Sequence, residues 1–153
     1  MNKLESLDDF RCNLRSGTLG KRKNMQTTVH YLLICNRAVR DMGTGLFTYV
    51  DTFGQIIIPK DNDSATQSFW IGGSIYSSIG GDVSLELRIE FPDGTQSVPS
   101  IIKGNISPGD VGLSTYLPLV KFTQIGMHYL KAKFQGMELE TGNRFFFEVK
   151  KQE

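Results

Sequence analysis

At 153 residues, 39% hydrophobic and 22% charged, the chain suits one soluble globular domain with room for a tail. A formal charge of +1 gives no strong field toward nucleic acid or an anionic membrane, and no apolar run approaches the ~20 residues of a membrane-spanning helix. Two cysteines, Cys12 and Cys35, make no disulfide framework, and "MNKLESLDDF" lacks the apolar stretch of a secretory signal, so the expected setting is a reducing cytoplasm.

Residues 1–27 differ from the rest. Six basic side chains against three acidic ones give them +3, leaving −2 for the remainder. Leu4, Leu7, Phe10 and Leu14 fall at helical spacing, with acids early, Arg15 late and Gly17 placed to cap. This reads as a weakly amphipathic helix of about three turns, too short to stand alone in water. "GTLGKRKNMQTT" reads as a linker, and its basic run as a solvated one.

From Val29 the pattern becomes that of strands. "VHYLLICN" is an apolar run, and "GLFTYVDTFGQIIIP" alternates up to Pro59. "KDNDSATQ" reads as a loop before "SFWIGGSIY". In "DVSLELRIEFPDG", Val83, Leu85, Leu87, Ile89 and Phe91 share one face and Ser84, Glu86, Arg88 and Glu90 the other, the period of a half-buried strand before a Pro-Asp-Gly turn. "VGLSTYLPLVKF" contains Pro118, which favours an edge or a bulge. "GMHYLKAKFQGMELE" reads as a hairpin turning at Gln135-Gly136, and "GNRFFFEVKK" sets Phe145, Phe147 and Val149 on one face. Seven or eight short strands predict an all-β, antiparallel two-sheet sandwich, immunoglobulin-like, with a short helical or disordered N-terminal extension.

"LLICNRAV" with Cys35, "GLFTYVDTFGQIIIP" with Gly45 and Asp51, "SLELRIEFPDG", and the closing "IGMHYLKAKFQGMELETGNRFFFEVK" together resemble an uncharacterised bacterial family of immunoglobulin-like β-sandwich proteins, a domain of unknown function. The resemblance covers about residues 28–150. His128 stands where that family has an aromatic ring, and Gln135-Gly136 replaces Asp-Gly. It implies the fold and no chemistry. It also implies a domain starting near Met25, so that residues 1–24 are an atypical extension or an over-extended start, and the division is 1–27 extension and linker, 28–150 sandwich.

Catalytic patterns are weak. His30 and His128 belong to no metal-ligand pair, and Cys35 in an apolar strand reads as an inert thiol, not as half of a Cys35–His128 dyad. His128, just after Gly126, reads as a structural residue bonding across a corner. A calcium loop starting at Asp61 would need Gly sixth and Glu twelfth, where Thr66 and Gly72 stand. "GGSIYSSIGGD" lacks the Lys-Ser/Thr ending of a phosphate loop, and its glycines read as bends, bulges or positive-φ positions.

A surface of aromatics is the better candidate. If Phe69, Ile71 and Ile75 are core, Trp70 and Tyr76 point outward, as Phe146 does between Phe145 and Phe147; a bulge at Gly72-Gly73 would reverse that parity. The expectation is a non-catalytic interaction module with binding residues Trp70, Tyr76 and Phe146. Its expected partner is a protein, itself or another, with a small ligand or carbohydrate as the alternative. No nucleic acid, membrane, cofactor or metal is expected.

Overall fold

A computed structural model of the chain describes residues 26–153. The expectations for residues 1–25, including the short helix and the basic run, lie outside the described residues. Ten strands follow: β1 Thr27–Arg40, β2 Phe47–Phe53, β3 Gln55–Ile58, β4 Ala65–Ser77, β5 Gly81–Glu90, β6 Ser100–Ile106, β7 Gly109–Phe122, β8 Gly126–Phe134, β9 Met137–Glu138 and β10 Phe146–Lys151.

The strands form two sheets, one of four in the order β2-β1-β4-β7 and one of six in the order β3-β10-β8-β5-β6, with β9 also on β8. This is an all-β sandwich. Antiparallel pairing, expected throughout, has one exception: β3 runs parallel to β10, from Gln55 beside Glu148 to Ile58 beside Lys151. The reason is a change of sheet at Gly54. The run read as one alternating strand divides there, β2 staying on β1 and β3 crossing to the far sheet.

The core lies between the sheets. On β5, Leu85, Leu87 and Ile89 are buried, with Val83 and Phe91 partly buried against them, as the alternation requires. Phe69, Phe122 and Phe147 meet at the centre with ring centroids 5.6–6.2 Å apart. Strand β7 is an edge and also carries a bulge: the register with β4 shifts where Ser68 faces Pro118 and Leu119. Leu119 takes φ 48° there and donates its N–H to Ser68 Oγ at 2.9 Å. Proline lacks the N–H a ladder needs, so the irregularity sits at Pro118.

Candidate functional site: the aromatic face of the four-stranded sheet

Phe69 and Ile71 are fully buried and Ile75 nearly so, so Trp70, Gly72, Ser74 and Tyr76 of β4 lie on the opposite, outer face. The register between β4 and β7 is unbroken from Phe69–Leu117 to Ser77–Gly109. Gly72 and Gly73 therefore introduce no bulge and the parity holds. Their use is close approach: a Cβ on Gly72 would lie 2.1 Å from the Tyr49 ring, and one on Gly73 would lie 2.5 Å from the Tyr31 carbonyl oxygen.

Tyr49 reaches this face because Asp51 takes φ 53°. On one side of Asp51, Phe53 packs on Phe69 in the core, with centroids 6.3 Å apart. On the other, Tyr49 crosses the outer face above Gly72. Its hydroxyl accepts the Gly73 N–H at 3.0 Å and donates to the Leu113 carbonyl at 2.8 Å or that of Gly73 at 2.9 Å. These bonds draw β2 toward β7 across a curled sheet. Burial pushes the Tyr49 hydroxyl up to about 12, so it stays protonated.

Around Tyr49 the other rings gather. Phe47 stacks on it at 6.2 Å and Tyr31 meets it edge-on at 6.3 Å. Trp70 and Tyr116 form a tilted pair at 5.3 Å. Cys35 pairs in register with Trp70 and therefore shares its side of the sheet, with no exposed surface and its thiol pushed up by burial. Tyr116 and Tyr31 remain 48% and 42% exposed. The result is a face with two groups of rings, Tyr31–Tyr49–Phe47 and Trp70–Tyr116, partly open to solvent.

The three expected binding residues are not brought together. Trp70 is half-buried beside Tyr116. Tyr76, exposed, shares the outer face but sits six positions along β4, ~20 Å away at the rise of a strand. Phe146 is exposed on β10, outward on the other sheet, since Phe147 and Val149 beside it are buried. That second outer face carries ion pairs, Arg88–Glu86 at 2.9 Å and Lys150–Glu148 at 3.1 Å among them. Tyr31, Tyr49 and Tyr116 are additions that local reading missed. Only the glycine pair beside Trp70 hinted at a ring passing overhead.

The two histidines stay apart from Cys35. His30 Nε2 meets Asp110 Oδ1 at 2.8 Å on the surface. His128 is buried in the core, stacked on Phe147 at 5.2 Å and edge-on to Phe91 and Phe122. Its Nδ1 lies 3.1 Å from the Gly126 carbonyl on its own strand and not across a corner, while Nε2 has no partner among the described residues. Burial lowers its pKa below 6.5. Among the described residues no three His, Cys, Asp or Glu side chains form a group that could hold a metal, and no helix is long and apolar enough to cross a membrane.

No family model and no curated protein matches the chain. Among solved structures it is similar to a Pseudomonas fluorescens alkylpurine DNA glycosylase, AlkC, bound to DNA containing an abasic-site analogue. The TM-score is 0.48 at 10% identity, over 81% of this chain and 30% of that one. A β-glucosidase from Listeria innocua gives 0.45 at 10% identity, over 82% and 16%. The CARDB domain of a Pyrococcus furiosus protein, in complex with di-metal ions, gives 0.39 at 13% identity, over 84% and 96%. The chain thus spans less than a third of the glycosylase and of the glucosidase.

Proposed function

We propose that this protein is a non-catalytic binding module and that the platform of Trp70, Tyr116 and Tyr31 holds a protein partner. The observation that carries the reading is a set of rings held in place yet open to solvent: Tyr49, bonded to the Gly73 and Leu113 backbone, meets Tyr31 edge-on, Trp70 and Tyr116 brace each other, and Tyr31 and Tyr116 stay about half exposed. Rings already held in place lose little further freedom on binding, and Trp and Tyr are the usual anchors of interfaces. Cys35, a free and buried thiol, suits a cytoplasmic setting.

The first partner to test is a second copy. Light-scattering mass between ~1 and ~300 μM, a range that brackets micromolar affinities, should rise for the native chain and stay at 17.1 kDa for Tyr116→Ala. Because Tyr116 is half exposed, its truncation should leave the fold in place. A native chain that stays monomeric, with an affinity-purified partner set that Tyr116→Ala leaves unchanged, would remove the face from consideration. The tilted Trp70–Tyr116 pair favours a second reading, a sugar ring or other small ligand stacked against it. Titrating the single tryptophan's emission with a panel of oligosaccharides separates the two.

A further inference from the structure

The sandwich is open along one border. Strand β6 ends the six-stranded sheet and β7 ends the four-stranded one. The Ser100 and Thr115 hydroxyls bridge them at 2.6 Å. Along this border lies a cleft of about 230 Å³. Residues 102–106 of β6 and 111–114 of β7 line it without a gap. Side chains on a strand alternate between faces, so an unbroken run of residues lines a cleft only where the backbone edge faces it. Core residues Ile75, Leu85 and Phe134 also line the cleft, and the exposed Arg40 and Lys103 make its rim basic.

The start of the described chain lies close by. Thr27 pairs with Ser77, and Ser77 pairs with Gly109, the first residue of β7. Two strand spacings, ~10 Å, separate the chain's entry into β1 from the strand that borders the cleft. Within the segment before it, residues 4–14 carry Leu4, Leu7, Phe10 and Leu14 interspersed with Glu5, Asp8 and Asp9 against the single Arg11, a net −2, followed by Gly17 and Gly20. Stretched out, the chain from Phe10 to Thr27 reaches ~55 Å, several times the distance needed. An apolar, acidic segment thus stands within reach of an apolar cleft with a basic rim.

We propose that residues 4–14 of this chain dock along the β6–β7 cleft, Leu7 and Phe10 packing on the half-buried Ile102, Ile106 and Val111 and Asp8 and Asp9 beside Arg40 and Lys103. The docked segment shields the unpaired backbone of both edge strands, which otherwise invites pairing with other chains. Any partner that draws residues 4–14 away would expose those edges.

The test uses the native thiol two residues beyond Phe10. In the full chain, Lys103→Cys places a second thiol at the rim, Lys150→Cys places one on β10, three strands from β6 in the same sheet, and Cys35 is buried. Under mild diamide oxidation at low concentration, Cys12 should bridge within one chain to position 103 at least ~10-fold faster than to position 150. Adding Leu7→Asp and Phe10→Asp should abolish the difference. Equal rates at the two positions, or bridges formed only between chains, would overturn the proposal. Hydrogen exchange gives a second readout: amides 111–114 should exchange ~10-fold faster in Leu7→Asp/Phe10→Asp than in the native chain, and unchanged rates would overturn it as well.

Discussion

Two aromatic clusters sit on opposite faces of the four-stranded sheet, and they are buried by different means. Inside, Phe69 and Phe122 meet Phe147 of the other sheet, and a second layer of backbone shuts out water. Outside, Tyr31, Phe47, Tyr49, Trp70 and Tyr116 are covered only by the curl of their own sheet, and their exposure grades from half-buried to half-open. Side-chain chemistry follows the difference. The closed cluster is phenylalanine around one neutral histidine, whereas the open one is mostly tyrosine and tryptophan, rings with a polar atom to satisfy. An aromatic cluster in a sandwich is therefore not by itself a core, and its polar handles tell which kind it is.

That contrast can be broken from either side. Phe122→Ala removes a fully buried ring from the closed cluster and should cost ~3–5 kcal/mol in a urea unfolding curve. A loss under ~1 kcal/mol would mean that the sheets do not meet there. On the open side, Gly72→Ala puts a methyl where the Tyr49 ring lies and should cost ~1–3 kcal/mol. Gly104→Ala is the control, because among the described residues nothing lies within 4 Å of its added Cβ. Equal stability of the two alanine variants would remove Tyr49 from the outer face.

The smallest effect is one of pH. Well above 6.5, His128 is neutral in both the folded and the unfolded chain and contributes nothing to pH dependence. As pH falls below 6.5, the unfolded chain binds a proton that the folded core refuses, so stability drops until the lowered folded pKa is reached. The carboxyls of Asp41 and Asp93, held below 3.8 mainly by bonds from Thr44 and Thr95, act only at lower pH. Between pH 6.5 and 4.5 the native Tm should therefore decline, and the decline should be shallower in His128→Phe. Parallel curves for the two would place His128 in solvent.

What local pattern carries was legible, and what depends on distant chain was not. The parity of β5 and the outward setting of Trp70 and Tyr76 follow from a two-residue period that the structure keeps. Tyr49 escaped because Asp51 reverses the facing of β2 through one backbone angle, and although aspartate is enriched at positive φ, few aspartates adopt it. Strand β6 escaped because "SIIKGNI" has one lysine, one glycine and no clean alternation. Gly54 was read as a residue within a strand, although the chain changes sheet there. Such a change shows only once both sheets exist.

The parallel pair β3–β10 bears on how the protein is made. Ile56 and Ile58 are buried, and among the described residues β3 is paired only with β10. Its partner is the final strand, so on the ribosome, at roughly 5–20 residues per second, β3 waits several seconds for a neighbour. During that interval an isoleucine triplet with strong strand propensity stands unpaired, the kind of segment through which nascent chains clump. Pro59 and Lys60 follow it directly, one unable to extend a ladder and the other charged. In the finished molecule the Pro59 carbonyl accepts the Asn62 N–H at 3.0 Å and starts the turn after β3; the same dipeptide is expected to limit clumping while the chain is still being synthesised.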